Sequence, residues 1–336
     1  MLCPVRYVIY GAGAIGGTIG GRLHQAGIPT ILIARGPHLA ALRRDGLLLQ
    51  TPDEAVRLDV AVAASPDEAA ITADDVVLVT MKTQDSAAAL DELRASSDAR
   101  VAVVCAQNGV ENERLALRRF AGVYGMCVYL PSQHIEPGVV QAFAPPSYGV
   151  LDLGRAPAGV DDRAAAIASD LTAAGFACEA KADIMRWKYD KLLANLGNGL
   201  QVLFGRSAQG GEWHARAREE ALACYAASGI VAASATEVRA RRAALPPVRA
   251  VPGADYGGGS TWQSVARGTG SIEVDYLNGE IVLLGRLAGV PTPVNEAIVA
   301  WAGRVARERR PPGSVDPERF ARELDGQGTS TILPSV

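Results

Sequence analysis

Near its start the chain reads "VRYVIYGAGAIGGTIGGRL" (residues 5–23), and no other stretch restricts its fold as much. Val5–Tyr10 is, Arg6 apart, apolar and partly β-branched, as a buried parallel strand should be. Glycines follow at the spacing Gly11-x-Gly13-x-x-Gly16. Ile15, Ile19 and Leu23 then recur at helical spacing, and Ala26-Gly27 marks that helix's end. A strand, a glycine turn and a helix N-terminus make an anion site: the first-turn N–H groups have no intrahelical partner, and the helix dipole favours negative charge. Gly11 permits the tight turn, Gly13 lets a pyrophosphate approach the backbone, and Gly16 lets helix and strand pack closely. The spacing in this context predicts a dinucleotide site with contacts from Gly11, Ala12, Gly13, Ala14, Ile15 and Gly16. The bland alternative is a glycine turn that holds nothing.

The next strand, "PTILIARG" (Pro29–Gly36), bears on which dinucleotide. NAD enzymes usually end this strand in Asp or Glu, which accepts bonds from the ribose hydroxyls. Here the place holds Ala34-Arg35. No carboxylate of this strand repels a 2′-phosphate, and Arg35 offers it a planar fork of donors. The expected coenzyme is NADP(H); the competing reading makes Arg35 a solvated strand-end cation.

Alternating strand and helix signals fill the first half. "DDVVLVTMK" (Asp74–Lys82) and "RVAVVCAQNG" (Arg100–Gly109) read as buried strands with a helix at 84–95 between them. Val123–Gln133 continues the sheet, Gly138–Gly154 reads as an antiparallel pair at one edge, and a helix is expected at about 162–174. The fold class expected is an α/β, Rossmann-type domain with a mostly parallel sheet, followed by an all-α domain. From Asp183 the strand signals stop: 182–204 reads as one long helix, 212–243 as another, and 271–289 and 293–309 as two more. The predicted domains are 1–181, binding NADP, and 182–310, all-α and catalytic, with a C-terminal tail over 311–336 that is either weakly ordered or a short helix with a loose end. Such an arrangement implies a cleft where substrate meets nicotinamide.

A net charge of −3 over 336 residues gives no footprint for nucleic acid or an anionic membrane. The five cysteines are scattered without a CxxC, and the four histidines are also dispersed, so neither a disulfide framework nor a metal site is expected. No run approaches the roughly 18 apolar residues of a membrane span, and no secretory leader is legible. A cytoplasmic protein without a metal is expected. An apolar all-α second domain is compatible with a homodimer.

Two further pieces fall at strand C-termini, where open α/β sheets bind ligands. Lys82 in "TMKTQ" could pair with a phosphate or a substrate carboxylate, and Asn108 in "AQNGV" could fix the nicotinamide ribose or the reacting group. The alternatives are a solvent cation and a plain Asn-Gly turn. On the helix around 188–200, Lys191, Asn195 and Asn198 stand at i, i+4 and i+7, within roughly 60° of one another. A polar stripe on an otherwise apolar helix needs partners, from a cleft ligand or from solvent. Lys188 points elsewhere on this helix by spacing. In "STWQSVARGTGSIEVDYLNGEIV" (Ser260–Val282), Ser260 and Thr261 could bind a carboxylate. There, too, Glu273 is the best acidic partner for Lys191, and Glu280 reads as a surface residue.

The glycine turn, "MKT", "QNG", "KLLAN" and "EVDYLNGEIV", in this order, resemble the ketopantoate reductase family over about residues 5–305. That resemblance implies reduction of 2-dehydropantoate to pantoate with NADPH, in coenzyme A biosynthesis. By motif, Lys191 matches the family's catalytic lysine and Glu273 its active-site glutamate, expected to meet coenzyme as well as substrate. Asn195 matches a substrate-contacting asparagine, Asn108 the asparagine of the "NG" strand end, and Lys82 the lysine after its strand. Ser260 and Thr261 match hydroxyl residues for the substrate carboxylate. Many members carry a second asparagine four residues after Asn195; here that position is Gly199, and Asn198 lies one residue earlier. Gly257-Gly258-Gly259 also replace larger polar residues. These departures leave open another 2-oxo acid, a ketone or an imine as substrate. A non-catalytic NADP(H)-binding sensor is the third reading, opposed by the retained Lys191 and Glu273.

Overall fold

The computed structural model describes residues 5–208, 210–254, 260–266, 268 and 270–327. Cα packing divides the chain into two compact units. One runs to Tyr189 and takes in Ala232–Tyr256; the other comprises Asp190–Val231 and the chain from Gly257 onward.

In the first unit, the elements in chain order are β1 (Tyr7–Tyr10), α1 (Ala14–Gln25), β2 (Thr30–Ile33), α2 (Gly36–Asp45), β3 (Leu47–Gln50), β4 (Ala55–Leu58), β5 (Ala61–Ala63) and β6 (Val76–Val79). There follow α3 (Thr83–Ser96), β7 (Ala102–Cys105), α4 (Glu111–Leu117), β8 (Gly122–Tyr129), β9 (Ser132–Gln133), β10 (Val139–Ala142), β11 (Val150–Arg155) and α5 (Asp162–Ala173). The main sheet has the order β11-β8-β7-β6-β1-β2-β5, parallel except for β11, which runs antiparallel to β8. From β1 the chain builds outward through β2 to β5, then returns to build the other side from β6. The crevice beyond the ends of β1, β2 and β6 is therefore the switch point where such sheets bind ligands.

The strands at the centre are buried on both faces, which explains their unbroken apolar runs. Tyr7 and Ile9 of β1 pack with Ile19 and Leu23 of α1 and Ile167 and Leu171 of α5 on one face. Val8 and Tyr10 pack on the other with Leu90 and Leu93 of α3. Each such large side chain contributes about 1.5–3 kcal/mol on burial.

Gly138–Gly154 does not form the expected antiparallel pair. β10 leaves the main sheet for a second, four-stranded sheet of order β4-β3-β10-β9, whereas β11 pairs with β8. Val140 of β10 lies against Gly17 of α1, closely enough that a Cβ at Gly17 would stand 2.6 Å from its Cγ2.

The long helix expected over 182–204 is two helices, α6 (Ile184–Asn195) and α7 (Gly197–Phe204), interrupted at Leu196. That expected over 212–243 is also two, α8 (Glu212–Ala227) and α9 (Ala235–Arg242). Ser234 caps α9 in a reciprocal box with Glu237, a start signal that the continuous pattern concealed. α9 belongs to the first unit, although the sequence reading put 182–310 in one helical domain. The cause is a buried charge: Asp152 on β11, 2% exposed, accepts from Arg241 Nε at 2.7 Å and Nη2 at 2.6 Å. Arg249 also pairs with Asp53, and Ala233 N–H donates to Arg186 O.

The second unit contains α7, α8, α10 (Ser260–Ala266), a 3-10 turn at Glu273–Tyr276, α11 (Asn278–Ala288), α12 (Pro293–Arg307) and α13 (Pro317–Gln327). α13 is pinned by Phe320, fully buried, which meets Phe204, Trp213 and Trp301 edge to face at centroid distances of 5.4, 5.2 and 6.5 Å. Within the stretch assigned to a C-terminal tail, residues 317–327 thus form the short helix that was one of its two readings.

Candidate active site

At the end of β1 the glycines have separate jobs. Gly11 takes a φ of +108°, and its N–H and that of Ala12 donate to Ile33 O, each at 3.1 Å, which closes the turn against β2. A Cβ on Gly16 would collide with Gly11 O and Thr80 Oγ1, so only glycine brings α1 this close to the sheet. A Cβ on Gly13 would meet nothing within 4 Å. α1 opens at Ala14 with no side-chain cap and no acidic residue in its first turn. Its first N–H groups and the open face at Gly13 fit a dinucleotide pyrophosphate.

His38, which the sequence reading passed over, braces this turn. Gly138 N–H donates to His38 Nδ1 at 2.9 Å, so the ring proton sits on Nε2, which donates to Ala12 O at 2.8 Å. Burial, with His134 beside it, lowers the imidazole to about 4 and keeps it neutral. The signal in sequence was a lone histidine near the start of α2, with nothing to single it out.

The ends of β6 and β7 are tied by a polar network. Thr80 Oγ1 donates to Gly11 O at 2.6 Å. Gln107 Nε2 donates to Met81 O at 2.8 Å and Ser86 Oγ at 2.7 Å. Asn112 Nδ2 donates to Thr83 Oγ1 at 3.0 Å and Asn108 O at 3.2 Å. Lys82, just before α3, and Asn108, both half-buried, are thus carried on two loops fixed to each other. Arg35 stands exposed just before α2.

Below these loops Lys188 of α6 is buried with Glu113 of α4, each side chain 2% exposed. Its Nζ donates to Glu113 Oε1 and, at 3.1 Å, to Gln107 O. Burial raises the Glu113 carboxyl above its ordinary range, against the pull of Lys188. The partner that holds Lys188, Glu113, was not legible in the sequence.

In the helical unit, Lys191 is half-buried on α6, and Asn195 ends that helix, 9% exposed. Asn198 is buried on α7, beyond the break at Leu196, so the stripe is carried by two helices. Asn195 Nδ2 and Thr261 Oγ1 are buried and have no hydrogen-bond partner among the described residues. Ser260 begins α10, and its side chain lies outside the described residues, as do Gly257–Gly259. Glu273 is buried at the start of the 3-10 turn. Glu280, expected at the surface, is 3% exposed in the first turn of α11, where the helix dipole favours a carboxylate. Asn278 is structural: its Nδ2 donates to Asn295 Oδ1 at 3.0 Å, and Asn295 Nδ2 donates to Glu220 at 2.7 Å. Gly199 has no room for a side chain, because a Cβ there would collide with Ile298 Cγ2.

Among the described residues there is no cluster of His, Cys, Asp and Glu that could hold a metal, and no helix long and apolar enough to cross a membrane.

Residues 7–157 match the profile of the family "Ketopantoate reductase PanE/ApbA", and residues 183–305 match that of its C-terminal domain. A 2-dehydropantoate 2-reductase of Mesorhizobium japonicum is 29% identical over 333 residues, covering 91% of this chain and 99% of the relative. One from Mycobacterium tuberculosis is 29% identical over 301 residues, covering 87% and 94%. The crystal structure of a PanE/ApbA family ketopantoate reductase from Ralstonia eutropha superposes with a TM-score of 0.75 at 28% identity, over 91% of this chain and 100% of that one. D-mandelate dehydrogenase with NADH shares the fold, with a TM-score of 0.76 at 21% identity over 91% of this chain and 99% of that one. With both profiles matched in order, and with the glycine turn and helical unit they require, the chain belongs to the ketopantoate reductase family of oxidoreductases.

Proposed function

We propose that the protein reduces 2-dehydropantoate to (R)-pantoate with NADPH. The observation that carries this reading lies in the helical unit. Asn195 Nδ2 and Thr261 Oγ1, at two positions expected to bind substrate, are buried without partners among the described residues. An unpaired buried polar group costs about 1–3 kcal/mol, and a small polar ligand would remove that cost.

Gly11–Gly16, Arg35 and Lys82 would hold the coenzyme, which supplies the hydride when bound. Lys191 polarises the carbonyl of the 2-oxo acid and donates the proton that its oxygen gains. Glu273, taken out of water, orients Lys191 and accepts from a substrate hydroxyl. Asn195 and Asn198 donate to the substrate, and Ser260 and Thr261 take its carboxylate. Asn108 fixes the reacting end beside the Gln107 network.

A second reading keeps the reaction and changes the acid. At Gly199, where many members have asparagine, Ile298 fills the space, so a side-chain amide is absent. That favours a 2-oxo acid with one polar group fewer. NADPH oxidation followed against 2-dehydropantoate and a panel of other 2-oxo acids tests both. A kcat/KM highest for 2-dehydropantoate supports the first reading, and a larger value for another acid overturns it.

A further inference from the structure

Arg35 does not stand alone at the end of β2. Its Nη2 donates to the Glu92 carboxylate and, at 3.2 Å, to the Tyr10 hydroxyl oxygen. The Tyr10 hydroxyl in turn donates to Glu92 Oε2 at 2.6 Å. Tyr10 closes β1 and Glu92 lies on α3, so three separate elements bring this triad together. Burial, with the bond to Glu92, pushes the Tyr10 phenol well above its usual range, and it remains a donor. Nε and Nη1 of Arg35 have no hydrogen-bond partner among the described residues.

In dinucleotide folds this is where the adenosine ribose presents either a 2′-hydroxyl or a 2′-phosphate, and a carboxylate here accepts from the first and repels the second. β2 itself ends without a carboxylate, but α3 delivers one to the same guanidinium. We propose that Glu92 is a specificity-determining residue for the coenzyme, admitting NADH and restraining the preference for NADPH that Arg35 alone would give. This rests on the reading that the Gly11–Gly16 turn binds a dinucleotide. A 2′-phosphate can reach the open Nε and Nη1 edge, but it then shares one guanidinium with a like-charged carboxylate. Glutamine at 92 keeps an oxygen for Arg35 and Tyr10 and removes only the charge.

The test is fluorescence titration of the full chain with NADPH and with NADH, for the parent, Glu92→Gln and Arg35→Ala. E92Q is expected to raise the NADPH-over-NADH affinity ratio about tenfold, equivalent to about 1.4 kcal/mol. R35A is expected to lower it. An unchanged ratio in E92Q, or one moved towards NADH, overturns the proposal while the parent still binds both coenzymes. If the parent binds neither, the dinucleotide reading itself fails and takes this one with it.

Discussion

The glycine turn of the first unit and the polar set of the helical unit bury their polar atoms in opposite ways. Around the turn, side chains serve the backbone: Thr80 and His38 donate to the carbonyls of Gly11 and Ala12, and Gln107 to that of Met81. What remains at the turn for a ligand is main-chain N–H at the start of α1, while nearby Gln107 Oε1 is also buried without a partner among the described residues. In the helical unit the buried atoms without a partner among the described residues belong to side chains: Asn195 Nδ2, Thr261 Oγ1, Asn278 Oδ1 and Ser314 Oγ. A pyrophosphate is common to many enzymes and can be held by backbone, so its site is a spacing of glycines. A particular 2-oxo acid has to be distinguished by side chains, and those carry an energetic cost while unfilled.

The largest effect expected from this division is kinetic. Lys191→Ala should lower kcat by about 10²–10⁴ while NADPH affinity stays nearly constant, as read by steady-state assay and fluorescence titration. A matching loss of coenzyme affinity would break the comparison. Glu113→Ala leaves Lys188 buried without its counter-charge and should remove about 3–5 kcal/mol in urea unfolding.

Within the turn, Gly16→Ala has to displace Gly11 O and Thr80 and should destabilise by about 1–3 kcal/mol. Gly13→Ala meets nothing and should leave Tm unchanged while weakening both dinucleotides. Equal behaviour of the two would remove the distinction between packing glycine and ligand glycine. Thr261→Val deletes an unpartnered hydroxyl, so it should be neutral or stabilising by about 1 kcal/mol yet raise KM for the acid. A loss of stability would show that the hydroxyl has a partner within the protein.

The smallest effect concerns His38. Its folded value of about 4 lies below the ordinary 6.5, so between these the unfolded chain binds the extra proton. Stability should be fully present above about 6.5 and decline towards about 4, and Tm measured against pH should show a shallower decline in His38→Gln.

Legibility in the sequence followed the same division. Gly11, Gly13 and Gly16 announce themselves because each answers to one steric demand. The fully buried strands were as plain, since their apolar runs follow from helices on both faces. Lys82 and Asn108 were legible as strand-end residues, but the network of Gln107, Asn112 and Ser86 joining their loops was not. Such pairings join residues far apart in sequence, and no local period records them. The same holds for Glu113 with Lys188 and for Glu92 with Arg35. Helix breaks at Leu196 and before Ser234 escaped because apolar periodicity runs on through a short interruption.

The passage of Ala232–Tyr256 through the first unit bears on how this molecule can be taken apart or exchanged between relatives. No single cut yields the first unit intact. A fragment ending near residue 181 would keep Asp152, with Glu179 N–H and Lys181 beside it, but lose both bonds from Arg241. Grafting a foreign helical half onto this one would therefore require carrying α9 across with its host, as two splices rather than one.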